Sequence, residues 1–345
     1  MTTDHADLIS LRRPAALAVS DTLPAQRSGM PLARRRVLAA ATGVAGAALV
    51  GVLPGPLQAQ ELAQPLQAVP LGDKALFVRG PDSNVLVVDG SEGLILVDGG
   101  HARWAADLHA AIARQFPSRP YRALFNTQWH PEQTGSNQLL GQQGVEIIAH
   151  ENTMLWESTE VWQRWSGRTF APLPAAALPK TTFFEDGSRR IGDREVHYGY
   201  LRAAHTDGDI WVYFGDEDIL VTGGLVSNGR WPEIDWWTGG FIAGLLDSFV
   251  SLLTVPGAAT RIVPAYGDLM TLDDLRAQNQ MYLTIFDRLH AAFIKSASLE
   301  ELLAEKPTAE FDARMGDPTQ FLTLAFQSIQ GHVRDPQNDR FLNIP

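Results

Sequence analysis

Residues 126–137 read Asn126-Thr127-Gln128-Trp129-His130-Pro131-Glu132-Gln133-Thr134-Gly135-Ser136-Asn137. An apolar run, Tyr121 to Phe125, precedes them, so the stretch reads as a loop leaving the end of a strand. Its outline is that of a metal-binding loop of the type H-x-H-x-D-H, whose side chains converge on one or two ions. Gln128 stands in the first histidine's place, His130 keeps the second, Glu132 replaces the aspartate and Gln133 the last histidine. The frame survives while much of its ligand chemistry has been replaced.

Upstream of this loop, Ala75 to Arg79, Asn84 to Val88 and Gly93 to Gly100 read as short strands. Gly80-Pro81-Asp82-Ser83 and Asp89-Gly90-Ser91 separate them as turns, which suits antiparallel neighbours. A helix follows, with Trp104, Leu108, Ile112 and Phe116 at helical spacing and Pro117 as its stop. Downstream come a helix over 137–141, a strand over 145–150 and an aromatic-rich, irregular segment over 151–180. The second half repeats the pattern, with strands near 195–202, 210–214, 218–222 and 260–264 and helices over 240–253 and 272–295. The tail, 297–335, reads as two helices joined across Phe311 to Pro318. Two strand-rich halves, each closed by helices, predict two sheets packed face to face with helices outside, a four-layer αββα sandwich of the mixed α/β (α+β) class.

The chain has 345 residues, 45% hydrophobic and 19% charged, enough for a substantial buried core without disorder. Its formal charge is −11 with no Lys/Arg stripe and no aromatic RNA-binding motif, so no nucleic-acid partner is expected. It contains no cysteine, which excludes disulfides, thiolate ligands and a cysteine nucleophile. A serine triad lacks its Gly-x-Ser-x-Gly elbow, since neither Ser136 nor Ser227 sits in that frame.

Arg34-Arg35-Arg36 precedes a weakly apolar, Ala/Gly-rich stretch, Val37 to Leu53, and a small-residue cleavage site follows at Ala59. This resembles a twin-arginine export signal and implies a periplasmic protein with no stable membrane association after cleavage. A single membrane anchor is the other reading, although the stretch is short for a span of about 20 residues. Met30 is a second candidate start. The expected organisation is an export signal and N-terminal extension over 1–59, the sandwich over 60–295 and a C-terminal helical extension over 296–345.

Five landmarks in order resemble the metallo-β-lactamase superfamily of hydrolases over roughly residues 70–270. They are Val97-Asp98-Gly99-Gly100, the 126–137 loop, His205-Thr206-Asp207-Gly208-Asp209, Thr222-Gly223-Gly224-Leu225 and Val263-Pro264-Ala265-Tyr266-Gly267. The resemblance implies a first metal at Gln128, His130 and His205. It implies a second at Glu132, Gln133 and Tyr266, with the bridging aspartate's position falling at Gly224. Exported relatives carry the same Pro-Glu-Gln after an intact H-W-H, so Gln128, Gly224 and Tyr266 are the departures that weigh most. Two imidazoles and an amide oxygen hold at most one Zn²⁺, Fe or Mn ion weakly, while the second position keeps almost nothing. Glu132 is the candidate third oxygen ligand or general base.

Each residue also has a plainer role. His130 and His205 are buried histidines hydrogen-bonded to Asp98 or to backbone in the one reading, metal or substrate contacts in the other. Asp98 supports a neighbouring ligand or loop rather than coordinating. Tyr266 is a substrate donor or fills an emptied ligand space. Trp231, Trp236 and Trp237, with Arg230, Glu233 and Asp235 among them, line a substrate pocket or pack the start of the 240–253 helix. His101, His109, His150, His197, His290 and His332 sit at no ligand spacing. Two functions remain: hydrolysis of an ester, lactone or amide by water on a single metal, or an inactive relative that binds a small molecule or a periplasmic partner. The substrate and the oligomeric state are not legible in the sequence.

Overall fold

The computed structural model describes residues 66–334. The export segment expected at 1–59 lies outside them. No helix among the described residues is long and apolar enough to cross a membrane.

Strands β1 (Gln67–Pro70), β2 (Ala75–Arg79), β3 (Val85–Gly90) and β4 (Gly93–Val97) form an antiparallel meander. Then β5 (Tyr121–Phe125) and β6 (Glu146–His150) add in parallel. A small hairpin, β7 (Val161–Gln163) and β8 (Arg168–Phe170), precedes β9 (Thr181–Phe183), which completes a seven-stranded sheet beside β6. A second sheet of five strands runs in the order β10 (Gly187–Ile191), β11 (Arg194–Leu201), β12 (Asp209–Phe214), β13 (Ile219–Val221) and β14 (Arg261–Val263). Its pairs are antiparallel except β13 and β14, which run parallel.

Alternation along the strands assigns the layers. Leu86, Val88, Ile95, Val97 and Phe125 face Val196, Ile210, Val212, Phe214 and Val221 in the apolar layer between the sheets. Their sequence neighbours Val85, Val87, Leu94, Leu96 and Leu124 face outward. There they meet α1 (Ala105–Gln115), through Leu108 and Ile112, and α3 (Asn137–Gln142), through Leu140. Both faces of these strands are buried, which is why they read as continuous apolar runs. The far face of the second sheet packs on α5 (Ile242–Leu252) and α6 (Leu272–Ile294). A capping box at the start of α6 sets its first turn, Thr271 pairing reciprocally with Asp274. The helices past residue 295 join the same apolar cluster. The result is the four-layer αββα sandwich expected from the sequence.

Two stretches differ from expectation. The segment 151–180 is not irregular throughout: it holds α4 (Glu151–Ser158) as well as the β7–β8 hairpin. Helix α4 has no apolar stripe for a sequence pattern to detect. It is held by distant contacts, Asn152 Nδ2 donating to the Asp207 carbonyl and Thr153 Oγ1 to the Gly208 carbonyl. The tail has three helices rather than two, α7 (Leu299–Ala304), α8 (Ala309–Met315) and α9 (Thr319–Arg334). Phe311 to Met315, expected in a connection, are helical, and Gly316 with φ of 83° ends that helix.

Candidate functional site

Strands β4 and β5 are parallel neighbours, so the segments that follow them emerge at one rim. There Asp98, held at a positive φ of 64°, accepts hydrogen bonds from the Thr127 backbone N–H and hydroxyl. Burial pushes the Asp98 carboxyl up to about 7, against the pull of those bonds. Asn126 and Asn137 bond each other reciprocally at 3.0 Å. These contacts fix the 126–137 loop where His130 begins the short helix α2 (Pro131–Thr134). From the second sheet come His205 before β12, Gly224 after β13 and Tyr266 after β14. All of them line one cleft of about 580 Å³, together with Gln128, Glu132, Gln133, Arg230 and Glu233.

The structure brings His130 and His205 together, edge to face, with His130 Nδ1 3.0 Å from His205 Nε2. The outer nitrogens are anchored too. His205 Nδ1 lies 2.6 Å from the Glu233 carbonyl, and His130 Nε2 lies 3.0 Å from Asp235 Oδ2. His130 is therefore bonded to Asp235, not to Asp98. Thr238 Oγ1 and Gln163 Nε2 also donate to Asp235 Oδ2, at 2.8 and 3.4 Å.

These partners fix where the protons sit. A carbonyl only accepts, so His205 Nδ1 carries hydrogen and its Nε2 is an acceptor. His130 Nδ1 must then donate to it. His130 Nε2 faces a carboxylate oxygen and must donate as well, which makes His130 an imidazolium. Burial works against that charge, but the hydrogen bond to Asp235 and the fields of Glu233, Asp235 and Glu132 outweigh it, and His130 is pushed up to about 9. Burial and the His130 charge pull His205 down to about 3. Burial opposes ionisation of Asp235, yet its bond to His130 holds it below the usual carboxylate range. Glu233 is raised to about 7 by burial.

The remaining ligand positions are filled or tied. Gln128 is tied at both ends of its amide, Nε2 donating to Gln133 Oε1 and Oε1 accepting the His130 backbone N–H, each at 2.5 Å. Gln128 thus spends its amide hydrogen bonds within its own loop and not on either imidazole. A Cβ on Gly224 would stand 2.5 Å from Cδ2 of His205, so the imidazole occupies the room an aspartate there would need. The Arg230 guanidinium lies 4.0 Å over the Tyr266 ring. Glu132 lines the cleft within electrostatic reach of His130 and Arg230. The donor chemistry therefore suits no dinuclear centre. Two imidazoles whose outer nitrogens are held by oxygen acceptors do fit the edge of a single ion, short of the three protein ligands a catalytic zinc takes. Among the described residues a different set converges: His130, Glu233 and Asp235 offer ligand atoms all within 4.8 Å of one another.

Of the three tryptophans expected at a pocket, Trp231 alone is among the lining residues. It stacks on Phe321 at 4.8 Å, and its Nε1 donates to the Gly316 carbonyl at 2.9 Å. Trp236 instead donates to Gln327, and Trp237 sets its ring edge against Trp236 and Trp162. The C-terminal helices thus form one wall of the cleft through Met315, Gly316, Asp317, Gln320 and Phe321. Sequence reasoning missed this wall and the role of Asp235. The only signal was the presence of Glu233 and Asp235 among the tryptophans of a loop expected over the site.

The chain belongs to the metallo-β-lactamase superfamily, whose family model matches residues 78–269. A metallo-β-lactamase from Pontibacter korlensis is similar in structure, with 18% identity and a TM-score of 0.50 over 63% of this chain and 99% of that one. The inverting sec-alkylsulfatase Pisa1 from a Pseudomonas species is similar at 13% identity and a TM-score of 0.57, over 81% of this chain and 51% of that one. At such identities the likeness is one of fold.

Proposed function

We propose that this protein is a periplasmic binding module built on the metallo-β-lactamase fold, whose cleft takes a small polar molecule and whose inner ligand position is closed by hydrogen bonds. The carrying observation is Gln128, tied at both ends where the family presents a metal ligand. The second proton on His130 answers to Asp235, whose buried carboxylate accepts from Nε2 while Nδ1 donates to His205. The exported location rests on the Arg34-Arg35-Arg36 signal. The test is a panel of ester, lactone and amide substrates offered with supplementary Zn²⁺, Fe²⁺ or Mn²⁺. No turnover dependent on His205 is expected. Hydrolysis that disappears in His205→Gln and on chelation would overturn the reading.

One observation favours a second reading, mononuclear hydrolysis. Anchored outer nitrogens on the Glu233 carbonyl and Asp235 are what ligating histidines usually have. In that case His130 and His205 would hold the ion, and the ion would supply an activated water. Glu132 is the cleft carboxylate available to move a proton. The same substrate panel separates the two.

A further inference from the structure

We infer that the outer face of His130 is a divalent-cation site, formed by His130 Nε2 with the carboxylates of Glu233 and Asp235, and distinct from the inner position between the two imidazoles. The hydrogen-bond chain decides which nitrogen is available. The Glu233 carbonyl fixes hydrogen on His205 Nδ1, so His205 Nε2 accepts from His130 Nδ1. Once His130 sheds its extra proton in that arrangement, the bare lone pair is on Nε2, facing Asp235 Oδ2 at 3.0 Å. His205 thereby acts as the tautomer-setting partner that a ligating histidine usually has.

Charge separates the two faces. A dication at the inner position would meet two neutral imidazoles and the tied amide of Gln128. A dication at the outer face meets two carboxylates, Asp235 fully buried and Glu233 half-buried, where Coulomb attraction is stronger than in open solvent. Asp235 is fully buried, and its Oδ1 has no hydrogen-bond partner, so the group retains acceptor capacity that the protein leaves unused. Gln163 completes the surroundings, its Nε2 lying 3.5 Å from Glu233 Oε1 and 3.4 Å from Asp235 Oδ2. His130, Gln163 and Glu233 all line the cleft, which gives an ion a route in.

Distances are compatible with one ion. Donors bound at about 2.1 Å stand about 3.4 Å apart in a tetrahedral shell, so the outermost pair of this set, within 4.8 Å, closes by up to about 1.4 Å on binding. One imidazole and two carboxylates suit Mn²⁺, Fe²⁺ or Zn²⁺ rather than a thiophilic metal. Binding exchanges the ion for the extra proton on His130, which leaves to solvent.

The test is calorimetric titration of the chelator-stripped full protein with Mn²⁺ and with Zn²⁺, checked by elemental analysis. One ion per chain is expected. Glu233→Gln removes a ligand carboxylate while keeping the backbone carbonyl that holds His205, and affinity is expected to fall by at least about tenfold. His205→Gln keeps an amide oxygen to accept the His130 Nδ1–H and is expected to retain the ion. Gln163→Glu adds a carboxylate beside the same atoms and is expected to tighten binding. Absence of any stoichiometric ion sinks the outer site and leaves the binding-module reading standing. An ion kept in Glu233→Gln and lost in His205→Gln sinks both, because it lies between the imidazoles.

Discussion

Gly224 and His205 are complementary: the glycine's missing Cβ is the space the imidazole uses. Gly224→Ala is expected to push that ring and lower stability by about 1–3 kcal/mol, as overpacking does, read from the urea midpoint. A variant as stable as the parent would mean that the ring has room to swing. His130 makes stability depend on pH with a definite sign. Its pKa in the folded state, about 9, exceeds its ordinary 6.5, so its contribution is whole below 6.5 and disappears as pH climbs through 9. Asp98 and Asp209, raised by burial to about 7 and about 8, act in the same sense at lower pH, because the folded state keeps protons the unfolded chain has lost. The melting temperature is expected to fall between pH 6.5 and 9, and His130→Gln to flatten that slope. A melting temperature rising over this interval would contradict the imidazolium.

At the scale of elements, parallel pairing of β4 with β5 and of β13 with β14 sends four of the landmark segments to one rim. The elements that differ from expectation, α4 and α8, both touch that rim or its wall. Helix α4 clamps the 205–209 turn through Asn152, Thr153 and Trp156. The Gly316 carbonyl at the end of α8 receives the Trp231 indole N–H, and α9 supplies the stacked Phe321. Trp231→Ala is expected to lower stability by about 3–5 kcal/mol, since it removes a large aromatic from that cluster. The exposed Gln320, which donates to Glu233 Oε2 at 3.4 Å, is expected to change it by less than about 0.5 kcal/mol when replaced by alanine. Comparing the two unfolding midpoints tests whether the wall is fixed by packing or by its polar contact.

For the whole molecule, the site cannot be rebuilt by replacing ligands alone. The triple variant Gln128→His, Gly224→Asp, Tyr266→His restores the family's residue types. Yet the introduced aspartate meets the His205 ring, and loss of the Tyr266 phenol ring removes the surface on which Arg230 stacks. The variant is expected to melt below the parent and to bind no pair of zinc ions by elemental analysis. Two tightly held ions would show that only ligands had been lost. The fold tolerates such changes because the layer between the sheets is built from other residues. Leu86, Ile95, Phe125, Ile210 and Phe214 are all buried there and none is a ligand position.

The sequence by itself determined the sandwich and the rim. Short apolar runs bounded by turns are local signals, as in Val85 to Val88, and the five landmarks lie in order at strand ends. It also marked which ligand positions had changed. It did not determine what the surviving histidines do. His130 meets His205 across 75 residues and Asp235 across 105, and no local spacing signals such pairs. Nor did it mark α4, whose contacts are polar and distant, or the wall supplied by the C-terminal helices. Only the tertiary structure decided that His130 carries a proton between an acceptor imidazole and a buried carboxylate, because protonation depends on partners brought together in space.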